Sequence, residues 1–351
     1  MKHLLLAALA AVCALGGTVA QAQTKVRLGF PAPWGVTPLA YGVQLGFFKE
    51  EGLAPEFVSV QGSSVLIPQV ANKSIDYGFA NPDLPVIALE KAEAYPVRFV
   101  YNYYSSQPFE FVVPAASPIQ SLADLKGKKL GVGSLGFGNI PMSRVMLKDA
   151  GLTWMQDVQV VPVGLGPAAW SRFKSGDVDA LNLFAQQHEL MIQSGIPIRR
   201  LPLPEKFRTL FANGIITHQD TIQSSPRQVE SLGRAVAKSF YACAQNAPAC
   251  AKAAWALNLV PRPAPEKEVD WITQNVAVVK SDMATAVGGQ KNDRWGEYDP
   301  AAWHRLLQFM KEGGQIQRDD LPLEQLYTSR FVDAYNTWDR AAVKAKALAQ
   351  Q

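Results

Sequence analysis

The order of residue types along this chain predicts an α/β fold, and two observations carry the prediction. From Lys25 onward, short apolar runs of strand character alternate with amphipathic stretches of helical period. The chain is 48% hydrophobic and only 18% charged over 351 residues, enough apolar material for buried cores at a length that suits two domains better than one. The same composition excludes a largely disordered chain. A net charge of +4 with no dense Lys/Arg run argues against tracking a nucleic-acid backbone. After the leader, no apolar stretch is long enough to span a bilayer.

Residues 1–22 read as a secretory signal. Lys2 supplies the positive start, Leu4 to Leu15 the short apolar run, and Ala20-Gln21-Ala22 the small-residue cleavage pattern, so the mature chain is expected to begin at Gln23. A lipid anchor at Cys13 is disfavoured, because Val12 and Ala10 match a lipobox poorly. Two cysteines then remain, Cys243 and Cys250, an even number in an oxidising compartment. The segment between them contains Asn246 and Pro248, which should stop one helix and start the next, and a disulfide stapling that turn is expected. The rival reading, a redox or metal-binding pair, lacks close spacing: His188, His218 and His304 form no ligand-like pair. No metal and no cofactor is expected.

The elements follow in order. Val26 to Phe30 is a strand, succeeded by a Gly/Pro/Trp loop (31–36). Thr37 as N-cap and Pro38 at the first helical position then open a helix that should run to about Phe48. Glu56 to Val60 is the second strand. Gln61-Gly62-Ser63-Ser64 leads into a helix that Pro68 should delay or kink. Strands at 76–80 and 97–103 complete the first unit. In the second unit, strands are expected at 109–113, 129–132, 158–163 and 178–184. Between them lie a glycine-permissive loop (133–138), a helix capped by Asn139 with Pro141 in its first turn, and a helix over 167–175. After Leu210 the chain turns largely helical, with tryptophans at 255, 271, 295, 303 and 338 expected to pack the core.

Four stretches carry a resemblance: GFFKEEGLAPEFVSVQGSS (46–64) followed by DYGFAN (76–81), SPIQSLADLKGKKLGVG (117–133), LKDAGLTWMQDVQVVPVG (147–164) and FKSGDVDAL (173–181). In this order and spacing they resemble the type II periplasmic substrate-binding proteins of ABC importers, within the nitrate/sulfonate/taurine-binding branch that also holds thiamine-pyrimidine binders. The resemblance covers 25–217; the tail is less diagnostic. It implies two lobes, each a mixed sheet flanked by helices, joined by crossing strands near 107–113 and 207–217 and closing over a ligand: lobe one over 24–107 plus 213–351, lobe two over 108–212. It further implies a periplasmic, monomeric protein that captures a small molecule and docks transiently on a membrane permease.

Carried onto this chain, the cleft loops are 31–36, 61–64, 80–84, 133–139, 164–170 and 182–187. Trp34 would stack on a flat ligand or pack beneath its loop. Ser63 and Ser64 offer hydroxyl and N–H groups at a helix start, or simply cap it. Asn81 and Asp83 follow the third strand; an acidic residue there would select an amino group, or cap the next helix. Ser134, Phe137, Gly138 and Asn139 combine close backbone approach with the positive end of a helix. Arg144 fits a solvated face better than the cleft. Trp170 and Phe184 are aromatic walls or core residues, Tyr103 and Tyr104 walls or hinge packing, and Asn182 is a buried amide that must find partners. No pair of arginines sits in these loops, which disfavours small inorganic anions. An organic ligand with an apolar or aromatic body and one polar or anionic end fits better, leaving aromatic carboxylates, sulfonates and pyrimidines open. The sequence holds no Ser/His/Asp, HExxH or phosphate-loop motif and no cysteine in the cleft loops, so an enzyme on the same fold is disfavoured. A ligand-sensing adaptor would use the same lobes.

Overall fold

The computed structural model describes residues 23–30, 33–258, 260, 262–287 and 293–350; the expected leader over 1–22 lies outside them. The first half contains β1 (Thr24–Phe30), a 3-10 turn (Pro33–Val36), α1 (Thr37–Gln44), α2 (Phe47–Glu50), β2 (Leu53–Ser59), α3 (Ser63–Ala71), β3 (Tyr77–Ala80), α4 (Asp83–Glu90) and β4 (Val97–Asn102). The chain then crosses into β5 (Phe109–Pro114), β6 (Lys129–Val132), α5 (Ile140–Asp149), β7 (Gln159–Pro162), α6 (Pro167–Lys174), β8 (Ala180–Phe184), α7 (Ala185–Gln193), β9 (Ile198–Arg200) and α8 (Glu205–Arg208). It returns through β10 (Gly214–His218) to α9 (Gln219–Ser224), α10 (Pro226–Gln245), α11 (Ala247–Ala256), α12 (Glu268–Val287), α13 (Pro300–Glu312), α14 (Val332–Tyr335) and α15 (Arg340–Leu348).

These strands form two five-stranded sheets, ordered β2-β1-β3-β10-β4 and β7-β6-β8-β5-β9. Each is mixed in the same way. In the first, β1 lies parallel to β2 and β3, and the returning β10 is antiparallel to β3 and β4. In the second, β6 lies parallel to β7 and β8, while the incoming β5 is antiparallel to β8 and β9. The two crossing strands therefore sit inside the sheets and not at their edges. β3 and β8 are buried along their whole length, as expected of strands covered on both faces.

The helices differ locally from expectation. Thr37 is the first residue of α1 and not its cap: the N-cap position is Val36, with no side-chain bond, although Pro38 sits where its missing N–H costs nothing. The helix does not run on to Phe48; the chain turns at Leu45 and Gly46 and restarts as α2. Pro68 does not delay α3, which begins at Ser63 and continues through it. Leu66, Ile67 and Val70 are buried, and that packing outweighs one missing backbone bond. Cys243 and Cys250 form the expected disulfide, Cα atoms 5.1 Å apart, joining α10 to α11. The Asn246 side chain accepts from Ala249 N–H and caps α11. Trp303 is fully buried on α13 and stacks on Tyr327 at 5.0 Å, whereas Trp295 and Trp338 pack from irregular segments outside the helices. Among the described residues no helix is long and apolar enough to cross a membrane.

Candidate functional site

The carboxyl ends of β1, β2, β3, β6, β7 and β8 lead into the segments that hold the expected site residues, and the structure brings most of these together at the seam between the sheets. Crevices of this kind expose free backbone N–H groups from loops and helix starts. Ser63 opens α3, and its hydroxyl accepts from Asn81 N–H at 3.1 Å; the Asn81 carboxamide oxygen accepts from Asp83 N–H at 3.2 Å. From the other sheet, the loop 133–139 presses directly on these residues. Ser64 N–H donates to the Gly136 carbonyl at 3.3 Å. At Gly138 a Cβ would lie 2.5 Å from both Asn81 Cβ and Ser63 Oγ, so only glycine permits this approach. Gly62 faces the same loop with φ +89°. Ser134 shapes the loop by accepting from Gly136 N–H at 3.1 Å.

Asp83 spans the seam in a second place. Its Oδ2 accepts from Met142 N–H, in the first turn of α5, at 3.0 Å. It is 1% exposed, and burial pushes its carboxyl up to about 7 although that hydrogen bond pulls the other way. Asn139 occupies the N-cap position of α5 but makes no capping bond. Its amide donates instead to Asn182 Oδ1 at 3.1 Å and to Ser143 Oγ at 3.3 Å, leaving its own carbonyl oxygen buried without a partner among the described residues. Asn182 is satisfied at both ends: Oδ1 also accepts from Ser143 Oγ at 2.7 Å, and Nδ2 donates to the Glu110 carbonyl at 3.1 Å. Phe184 lies against Phe109 with centroids 4.6 Å apart and 6.0 Å from Phe137, an aromatic row that ends in the 133–139 loop.

A second polar cluster lies beside the crossover. Tyr103 OH donates to the Gly35 carbonyl in the turn that carries Trp34. Tyr104 OH donates to Asp282 Oδ1 on α12, and Gln186 Nε2, in the first turn of α7, donates to the same oxygen at 2.6 Å. Burial pushes Asp282 up to about 6 against both hydrogen bonds, and pushes the Tyr104 phenol well above its ordinary value. Asp282 was not expected from sequence, and Gln186 was covered only by the expected cleft loop 182–187 without being singled out. The signal was there for Asp282: Val278, Val279, Met283 and Ala286 define the buried face of α12, and an acid sits on that face. Trp170 is not joined to the seam; it is half-buried on α6 against Val112, Val163 and Phe173. Arg144 packs its guanidinium over Trp154 at 5.4 Å, away from the cluster residues.

The family described as NMT1/THI5 like matches residues 35–251, more than half of the chain. The chain belongs to this family. Among curated relatives, a Brucella abortus protein named for binding, with no ligand stated, is 29% identical over 161 residues, 45% of this chain and 47% of that one. The chain thus spans about half the length of the first curated relatives it matches. The riboflavin-binding protein RibY of Chloroflexus aurantiacus is 22% identical over 293 residues, 82% of this chain and 79% of its own. Among solved structures, the alkanesulfonate-binding protein SsuA of Xanthomonas axonopodis pv. citri, bound to MOPS, superposes with TM-score 0.62 at 16% identity, covering 88% of this chain and all of that one. The desulfurization enzyme DszB shares the fold with TM-score 0.54, 16% identity and coverage of 89% and 99%. At these identities the likeness is one of fold: a two-lobed binding-protein architecture, represented mainly by solute-binding proteins.

Proposed function

We propose that this chain is the solute-binding component of an ABC import system. It would capture a small organic molecule in the periplasm between lobes at 24–107 plus 213–351 and 108–212, then deliver it as a monomer to a membrane permease. One observation carries the reading most: strand-end loops and helix starts of both sheets meet at hydrogen-bond distance, through Ser64 to Gly136 and Asp83 to Met142. Such a seam is what closure over a solute requires. Trp34, Ser63, Ser64, Asn81, Asp83, Ser134, Phe137, Gly138, Asn139 and Phe184 are the ligand-facing candidates, with Tyr104, Gln186 and Asp282 added to them. Asn182 and Trp170 are assigned to support. The sulfonate-binding fold relatives favour an organic anion with an apolar or aromatic body; a pyrimidine or thiamine precursor is the alternative.

An enzyme on this fold is the second reading, favoured by the likeness to DszB. It meets one obstacle: Cys243 and Cys250, the only cysteines after residue 22, are bonded to each other, so no free thiol serves as nucleophile. A thermal-shift panel of sulfonates, aromatic carboxylates, pyrimidines, flavins and nitrate tests the proposal, because a ligand that binds only the folded state raises the midpoint. A clear shift with one class, and no turnover of that compound on prolonged incubation, supports it. Turnover would favour the enzyme instead.

A further inference from the structure

We propose that Asp282 and Gln186 form a recognition subsite for a hydrogen-bond donor on the solute, so that the captured molecule carries an N–H group (an amine, amidine or N–H heterocycle) at the end facing α12. This rests on the solute-binding reading above and names the chemistry of one end of that ligand.

The argument begins with unsatisfied acceptors. Asp282 is 3% exposed, and its Oδ1 takes two donors, from Tyr104 and Gln186. Its Oδ2 is buried with no partner, and the Gln186 carbonyl oxygen beside it is likewise buried and unpartnered. The amide orientation of Gln186 is fixed by chemistry, since its nitrogen must face the carboxylate it donates to. No cation pairs with Asp282 among the described residues; only burial, Tyr104 and Gln186 bear on its carboxyl. A buried carboxylate oxygen without a donor is costly, and folding alone would not retain it.

Position supplies the second half. The cluster sits where three parts of the molecule join: the crossover (Tyr104), the start of α7 in the second sheet's half (Gln186) and α12 of the tail. Tyr104 reaches back to the first sheet, with its ring edge-on to Phe79 at 5.4 Å and its hydroxyl 3.9 Å from where a Gly35 Cβ would stand, in the turn holding Trp34. The C-terminal end of α12 is pinned there, because Ser106 donates through both N–H and Oγ to the Thr285 carbonyl. Two unfilled acceptors thus lie on hydrogen-bonded neighbours where α12 packs against α7. A donor arriving with the solute would satisfy both, whereas a carboxylate or sulfonate placed there would meet a like charge.

The test uses the full chain and matched pairs of probes that differ only in the donor: 4-aminobenzoate with benzoate, 3-aminobenzenesulfonate with benzenesulfonate, and 4-aminopyrimidine with pyrimidine. Binding is measured by calorimetry on the wild type, Asp282→Asn and Gln186→Met, with the unliganded melting midpoint as a folding control. The expected result is tighter binding of the amino member of at least one pair, with that preference over its amino-free partner reduced about 10- to 100-fold in both variants. Probes that bind equally with and without the amino group, in wild type and variants alike, would overturn the inference and leave the solute-binding reading standing. If Asp282→Asn fails to fold, Gln186→Met carries the test alone. No binding by any of the six would overturn the inference, and silence across the thermal-shift panel as well would remove the solute-binding reading.

Discussion

Gly138→Ala places one methyl group in the seam and nowhere else. Its Cβ would lie 2.5 Å from Asn81 Cβ, 2.5 Å from Ser63 Oγ and 3.0 Å from Ser63 Cβ. Ordinary contact starts near 3.4 Å, so the two sides must part by roughly an ångström, or Ser63 must give up its bond to Asn81. Neither obstacle belongs to the half of the molecule that carries residue 138. The variant therefore folds normally and pays only on closure. Overpacking of this kind costs about 1–3 kcal/mol. If solute binding requires the closed seam, that penalty appears in full as a dissociation constant raised about 5- to 150-fold. Calorimetry with whichever panel compound binds the wild type measures this, and the unliganded melting midpoint should move little. Unchanged affinity in a normally folded variant would refute the claim that these loops close on one another around the solute. A collapsed midpoint would refute the claim that the contact is made only at the seam.

Asn182→Ala should lower stability by about 1–3 kcal/mol, because it strips partners from buried Ser143, Asn139 and the Glu110 carbonyl, yet leave solute affinity within twofold; denaturant melts and titration separate the two effects. Replacing both Cys243 and Cys250 by Ala should cost about 2.5 kcal/mol through freed loop entropy at a sequence separation of 7, read as a lower denaturation midpoint. Burial raises the Asp83 carboxyl to about 7 from an ordinary 3.8, so the folded chain holds that proton more tightly than the unfolded one. Its contribution is then complete below the ordinary carboxylate range and is lost as pH rises towards 7, by about 4 kcal/mol at most. Asp83→Asn should accordingly gain stability over the wild type at pH 7.5 but not at pH 4; equal differences at both pH values would contradict this.

How far the sequence told this story depends on the residue. The alternation of apolar runs and amphipathic stretches was enough to place β1 to β8 but not the three-residue β9 (Ile198–Arg200), and it was the family resemblance that drew attention to Asn81, Asp83 and the 133–139 loop. Caps were less legible. Thr37 and Asn139 have the right chemistry for capping, yet Thr37 lies inside α1 and Asn139 spends its amide on Asn182. For Asn139 a side-chain partner within the same half of the molecule decides that, and it is 43 residues away in the chain. Pro68 misled for the same reason, since burial of its neighbours overrode a local rule. Asp282 is the instructive miss. It lies in the tail, where no motif draws attention, and only the apolar face around it marks it as buried. Gln186 lay within the expected cleft loop 182–187, but its partner becomes visible only once α12 packs against α7.

The central claim is closure of two lobes around a solute, and a distance across the seam tests it most directly. Val65 on α3 and Leu135 in the facing loop are exposed at 44% and 47%, and the chain after residue 22 has no free cysteine, so Val65→Cys with Leu135→Cys accepts one pair of spin labels. With a panel compound that binds, pulsed dipolar spectroscopy should give one short, narrow distance, and without it a longer or broader one. The same distribution in both conditions would contradict closure on the solute.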